Sequence, residues 1–282
     1  MIVFINGEYK EEDKAVVSVQ DRAFIFGDGV YEGLRIYNKK IFKRQAHQDR
    51  LQRSLDEFKI EYQLTNELER IYQELYEKNG YTNEELFYYF QISRGAGSRV
   101  HAYSSVTTPV GIYAFLVAKP MSLENYTQGI NVCTTPDIRW ARCDIKCTSL
   151  VANCIANEEA QQKNCTEALF VHDGVITEGT LSNVFFVKDG EVHTHGKTNR
   201  ILGGITREVV IELCKENSIN VNEFPLSLNK LNSIDEAFIT GTTGEITPII
   251  NIDGQSVANG EVGVMTKQLQ KLFKAEVKRE CY

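Results

Sequence analysis

Residues 138–186 read IRWARCDIKCTSLVANCIANEEAQQKNCTEALFVHDGVITEGTLSNVFF, and the fold turns on how this stretch divides. Arg142-Cys143-Asp144-Ile145-Lys146 reads as an extended segment that ends in a lysine. Ser149 is a candidate cap for a helix over about 150–163, with Asn164 as its stop, because short polar side chains satisfy free helix donors and Asn tolerates left-handed backbone. Residues 168–172 predict a strand and Asp173-Gly174 a turn. Val175-Ile176-Thr177-Glu178 then predicts a returning strand that delivers a carboxylate. A lysine followed by a helix and a strand bearing a glutamate suits a pyridoxal phosphate (PLP) site. There the amine forms a Schiff base with the aldehyde, and the carboxylate keeps the ring nitrogen protonated. A surface lysine and a turn glutamate suit the same spacing.

The residues downstream narrow the choice. Glu178-Gly179-Thr180-Leu181-Ser182-Asn183-Val184-Phe185 is followed by Thr194 and then by Leu202-Gly203-Gly204-Ile205-Thr206-Arg207. This pattern resembles the signature of the class IV aminotransferases, the fold-type-IV PLP enzymes. The resemblance runs nearly the whole chain and is nearest to the family's D-amino-acid members. It implies an α+β (mixed α/β) fold of two domains with PLP between them. It implies Lys146 as covalent anchor and proton carrier, Glu178 at the ring nitrogen, and Arg50, Ile205, Thr206 and Thr242 at the phosphate. It also implies that Arg99 and His101 hold the substrate carboxylate together with Tyr31, the Arg-x-His pair reaching across a homodimer interface. The reaction so implied moves an amino group from D-alanine or other D-amino acids to 2-oxoglutarate, giving pyruvate and D-glutamate. A branched-chain L-aminotransferase and a lyase working through the same Schiff base are the alternatives among enzymes. A PLP-carrying protein without turnover is the alternative outside them.

Elementary chemistry runs the same way. Gly203-Gly204-Ile205-Thr206 precedes a predicted helix over 205–215, and a helix start offers free N–H groups and a positive dipole end to a phosphate. Arg50 adds a planar charged clamp, and Thr242 lies in a glycine-flanked loop. Residues i and i+2 of an extended segment point the same way, so Arg99 and His101 can hold one carboxylate. Taken singly, Arg50 also reads as a solvated helix face, Gly203-Gly204 as an ordinary loop, and Tyr31 as a strand-face tyrosine. Leu181 departs from the family, whose close D-specific members carry a run of serines there. Trp140 reads as a neighbour of the cofactor or as core packing.

Composition excludes other classes. The chain has 282 residues and a formal net charge of −7, which argues against non-specific binding to nucleic acid or anionic membranes. No apolar run approaches the roughly 20 residues a membrane span needs. MIVFINGEYK lacks the pattern of a signal peptide. Seven scattered cysteines without a C-x-x-C pair fit reduced thiols in the cytoplasm. His193-Thr194-His195 reads as the turn after Asp189-Gly190 rather than as metal ligands.

Along the chain, 2–6 predicts a strand, and 9–19 extends it into a hairpin. Residues 21–33 read as glycine turns that place Tyr31 and Glu32 on a strand. Residues 34–37 and 40–43 pair through Asn38-Lys39. Helices are expected at 47–58 and, capped by Thr65, at 66–78. Strands are expected at 85–93 and 110–118, joined by a glycine-rich loop that ends in Arg99-Val100-His101. Lys119-Pro120-Met121-Ser122 breaks the pattern and divides an N-terminal domain, 1–119, from a lysine-bearing domain, 120–282. In the second domain, strands at 130–134 and 236–240 and a closing helix over 263–278 complete the expectation.

Overall fold

The structure, a computed structural model, describes residues 1–82 and 84–282. Contacts divide the chain into two units. The first is Met1–Pro120 with Ile145–Leu150 and Cys281–Tyr282, and the second is Met121–Asp144 with Val151–Glu280.

In the first unit β1 (Ile2–Ile5) and β2 (Glu8–Glu11) form the expected hairpin, which stops at a 3-10 turn over Glu12–Lys14 instead of running on to Val19. Residues 21–28 are more than turns. They hold a short helix, α1 (Arg22–Phe26), capped by Asp21, whose carboxylate accepts the Ala23 N–H. Next come β3 (Gly29–Tyr37), β4 (Lys40–Ile41), α2 (Arg44–Glu57) and α3 (Glu67–Lys78). Thr65 does not cap α3. Asn66 occupies that position, and the Thr65 N–H and hydroxyl both donate to the Glu67 carboxylate. β5 (Leu86–Ser93) and β6 (Gly111–Ala118) complete an antiparallel sheet in the order β2-β1-β6-β5-β3-β4.

The two-residue period of β5 buries Leu86, Tyr88, Phe90 and Ile92 on one face. Leu51 and Leu55 of α2, and Leu68, Ile71 and Leu75 of α3, pack into the same core. Ile145 and Cys147 belong to that core too. This corrects the sequence placement of Lys146. Residues 142–146 are not a strand but a turn, with the Arg142 Nε donating to Asp144 Oδ1 at 2.9 Å. The segment after the turn is bound to the first unit rather than the second. The Tyr31 N–H donates to the Lys146 carbonyl (3.0 Å), the Thr148 N–H donates to the Gly29 carbonyl (3.0 Å), and Cys147 bridges Val30. Ser149, the expected cap, donates its hydroxyl to the Gly27 carbonyl at 3.1 Å. Two buried apolar side chains flanking Lys146 outweigh its chain position.

The second unit opens with α4 (Leu123–Gln128), β7 (Ile130–Pro136) and α5 (Val151–Gln162). β8 (Glu167–His172) and β9 (Val175–Gly179) form the predicted hairpin, and β10 (Asn183–Lys188) and β11 (Glu191–Thr194) form another. His193 and Thr194 therefore lie on a strand, not in the turn. α6 (Ile205–Glu216), β12 (Val221–Asn222), β13 (Glu236–Gly241), β14 (Glu245–Ile252), β15 (Gln255–Ser256) and α7 (Val264–Cys281) follow. The sheet runs β12-β11-β10-β13-β14-β7-β8-β9, with β15 on β14, and β7 is parallel to both neighbours. α5 covers β7 and β8 through Ala156 and Ala160 against Cys133, Ala168 and Phe170. Small residues on the helix let it approach the strands closely.

Candidate active site

Two clusters of buried polar groups stand out, one in each unit. In the first unit Glu32 lies on the core face of β3 and is 0% exposed. α2 brings two partners one turn apart down onto it. Arg50 donates Nε to Oε1 and Nη2 to Oε2, both at 2.7 Å, and His47 Nδ1 lies 2.7 Å from Oε2. Burial alone would raise the Glu32 carboxyl, but the charges of Arg50 and His47 outweigh it and hold the group at about 2. His47 is lowered by burial, against the pull of the Glu32 carboxylate, with smaller contributions from the positive charges of Arg50 and Lys146.

Lys146 follows from the same architecture. Its backbone N–H lies 3.4 Å from Ser54 Oγ of α2, and its Nζ sits 4.4 Å from the centre of the Tyr31 ring. Tyr31, one residue before Glu32, faces the opposite side of β3 and stacks on Tyr89 at 5.4 Å. Arg99 and His101 gather on a different aromatic residue. The Arg99 guanidinium lies 5.6 Å and the His101 ring 5.5 Å from the Phe26 ring, on a segment of bends rather than extended backbone.

In the second unit Glu178 is the penultimate residue of β9 and is 4% exposed. Its Oε1 accepts from Arg139 Nη1 (2.5 Å). Its Oε2 accepts from Asn183 Nδ2 and from the Leu202 N–H, both at 3.0 Å. Arg139 is itself forked onto Asp137 at 3.0 and 2.9 Å and lies 4.1 Å over the Phe170 ring. Burial pushes Glu178 up to about 7, against the pull of Arg139 and the Leu202 N–H.

The same hydrogen bonds tie Glu178 to the start of α6. Asn183 donates to the Leu202 carbonyl at 2.8 Å, and a Cβ on Gly204 would meet Asn183 Oδ1 at 2.1 Å. Gly204 caps α6 without a side-chain bond, so Ile205 and the buried Thr206 stand where a helix leaves its first N–H groups without internal partners. Thr242 lies in the turn between β13 and β14 of this unit. Leu181 points outward, 76% exposed, while its N–H and the Ser182 hydroxyl bind the buried Glu167 carboxylate at 2.6 and 2.9 Å. Trp140 is exposed rather than core.

Sequence inspection did not find Glu32 and His47 as partners of Arg50, nor Arg139 and Asn183 as partners of Glu178. The alternation of β3 and the one-turn spacing of His47 and Arg50 were visible signals. Nothing local marks Arg139. Among the described residues, no helix is long and apolar enough to cross a membrane and no group of three or more His, Cys, Asp or Glu could hold a metal. All seven cysteines are free, and only Cys154 is exposed.

The first unit carries a primary amine beside a tyrosine, and an arginine. The second carries a buried carboxylate and an uncapped helix start with hydroxyls. These are group types that suit a phosphorylated heteroaromatic aldehyde. Comparison with known proteins agrees. The family described as Amino-transferase class IV matches residues 29–252. A D-alanine aminotransferase of Staphylococcus epidermidis is 39% identical over 272 residues, 96% of each chain. Another, from Bacillus licheniformis, is 38% identical over 282 residues, covering 99% of this chain and 98% of its own. Among solved structures, the branched-chain amino acid aminotransferase of Escherichia coli superposes with a TM-score of 0.87 at 27% identity, over 97% of this chain and 93% of its own. The branched-chain aminotransferase of the archaeon Thermoproteus uzoniensis, solved with norvaline, gives 0.84 at 25% identity, over 99% and 96%. With the family pattern spanning both units, and relatives this similar along almost the entire length, the chain belongs to the class IV amino-transferases.

Proposed function

We propose that this protein is a PLP-dependent D-amino-acid aminotransferase that takes D-alanine and 2-oxoglutarate to pyruvate and D-glutamate. The observation that carries the substrate choice is the gathering of Arg99 and His101 on one ring, Phe26, which suits a trap for a carboxylate. The D-alanine aminotransferases at 38% and 39% identity favour the same substrate.

PLP, when bound, supplies an electron-withdrawing ring that accepts the electron pair left at the substrate α-carbon. Lys146 Nζ would hold the cofactor covalently and, as a free amine, would carry the α-carbon proton. Tyr31 borders that amine. Glu178 holds the proton on the ring nitrogen, with Arg139, Asn183 and the Leu202 N–H keeping its two oxygens in place. The Ile205 and Thr206 N–H groups, the Thr206 and Thr242 hydroxyls and Arg50 receive the phosphate, and Glu32 keeps Arg50 from swinging away. Arg99 and His101, with Tyr31, bind the substrate carboxylate. In the homodimer we propose, this pair serves the neighbouring subunit. The free cysteines suit a reducing cytoplasm.

The test is to supply purified protein and PLP with D-alanine or L-leucine plus 2-oxoglutarate and to assay the keto-acid product and the handedness of the glutamate. Pyruvate with D-glutamate is expected. Product from L-leucine alone would favour the second reading, a branched-chain L-aminotransferase, which rests on the superposition with the Escherichia coli enzyme.

A further inference from the structure

The trap residues sit on an exposed loop, yet the chain holds that loop with a buried cation. Arg22 of α1 is 3% exposed. Its Nη1 donates to the Val100 carbonyl at 2.7 Å and its Nη2 to the His101 carbonyl at 3.2 Å. Its Nε donates to Asp28 Oδ2 at 2.7 Å. Asp28 in turn receives Arg94 through Nε and Nη2, at 2.8 and 3.0 Å. Arg94 also donates to the Lys59 and Phe58 carbonyls, at 2.8 and 2.6 Å, which moors the cluster to the end of α2. Tyr103 lies across both arginines, 3.6 Å from Arg94 and 5.6 Å from Arg22. Phe26, one turn along α1 from Arg22, meets three groups: Arg22 at 4.8 Å and, as described, Arg99 and His101.

We infer that α1 is a splint for substrate recognition, with Arg22 and Phe26 as positioning residues. Arg22 fixes the backbone of Val100 and His101, and Phe26 aims the Arg99 and His101 side chains in one direction. The inference rests on the reading of Arg99 and His101 as the carboxylate trap. The physical reason is entropic. A loop of exposed residues has little apolar burial to order it, and a long arginine side chain held by nothing samples many rotamers. Charge-assisted bonds from a buried guanidinium to two loop carbonyls hold the backbone before substrate arrives, and preorganisation of this kind strengthens binding without a new contact to the ligand. Asp28 keeps the Arg22 guanidinium oriented. Arg22 and Arg94 hold the Asp28 carboxyl below its usual range, although burial alone would raise it.

The experiment uses the PLP-loaded protein and three variants, R22K, F26L and R99A. The R22K variant keeps a charge for Asp28, but its single amine cannot reach two carbonyls and the carboxylate together. It therefore tests the splint without leaving Asp28 unpaired. The expected result for R22K and F26L is faster hydrogen exchange at the backbone amides of residues 98–106 and a KM for D-alanine raised about tenfold, as for loss of a charge-assisted hydrogen bond. The kcat should stay within about twofold and cofactor absorbance per subunit should not change, a split that general destabilisation would not produce. Unchanged exchange over 98–106 in both variants would overturn the inference. So would faster exchange with unaltered KM in R22K while R99A raises KM. If R99A itself leaves KM unaltered, the trap reading is what fails, and the exchange measurement alone then decides whether Arg22 orders the loop.

Discussion

Glu32 and Glu178 are the same residue type, each buried in its own unit, and their environments drive them in opposite directions. Glu32 is held at about 2 and Glu178 is raised to about 7. Burial penalises the charged form of both. What differs is the partner set. Glu32 faces a fork from Arg50 across both oxygens, with His47 beside it, whereas Glu178 has one arginine bond and two neutral N–H donors. Glu32 is therefore an ionised strut for α2 at neutral pH. Glu178 is an under-compensated carboxylate, to which a positive ring nitrogen would add the missing charge. Two carboxylates in one protein thus take two roles by environment alone.

Lys146 is where a change should tell most, because its Nζ is the only group given both covalent and proton-carrying tasks. Lys146→Ala is expected to lower turnover by on the order of 10⁴-fold. Borohydride reduction of the PLP-loaded variant followed by mass spectrometry should find no cofactor mass on the chain. Residual near-normal turnover would transfer the role to another lysine.

Glu32→Gln should come next, and chiefly in stability. It strands Arg50 beside a neutral partner in a buried site, which costs about 3–5 kcal/mol. Urea unfolding of the PLP-free protein measures this, and a loss below about 1 kcal/mol would mean that the strut is dispensable. Glu178→Gln should reverse the pattern, with little loss of stability but a single-turnover half-reaction slowed roughly 100-fold, as for removal of one electrostatic stabiliser. Equal half-reactions in wild type and variant would end the ring-nitrogen assignment.

The pH dependence separates the two groups by sign. A carboxyl raised from 4.5 to about 7 on folding stabilises the PLP-free protein fully below 4.5 and loses that contribution as pH climbs to 7. A carboxyl lowered from 4.5 to about 2 contributes stability above 4.5 and loses it as pH falls toward 2. Unfolding of Glu178→Gln as a function of pH should lack the first limb and that of Glu32→Gln the second. Two variants with the wild-type pH profile would erase the contrast. The smallest expected effect is that of Asn183→Ala, which removes one donor from Glu178 and weakens PLP binding by about 1 kcal/mol. Equilibrium titration of the cofactor reads this, and unaltered affinity would show that the Leu202 N–H suffices.

Much of this protein was written in local sequence. Periodicity and turn residues marked α2, α5, α6 and the β8–β9 hairpin of the second unit, since each rests on residues within a turn or two of one another. The run from Glu178 to Arg207 marked the family, because glycines and hydroxyls at fixed gaps have few other uses. Tertiary structure decided the rest. Lys146 joined the first unit because Ile145 and Cys147 bury with Leu51 and Phe90, a partnership that no window around residue 146 contains. The partners of Glu32 arrive from α2 and those of Glu178 from Arg139, Asn183 and Leu202, so their opposite charge behaviour could not be read from either glutamate's neighbours in sequence. α1 was hidden for a similar reason. A helix of five residues is weak by propensity, and its order comes from Asp28, Arg94 and the loop carbonyls it holds. Sequence specifies which groups are present, but desolvation and charge pairing act through space, and only the folded chain sets those distances.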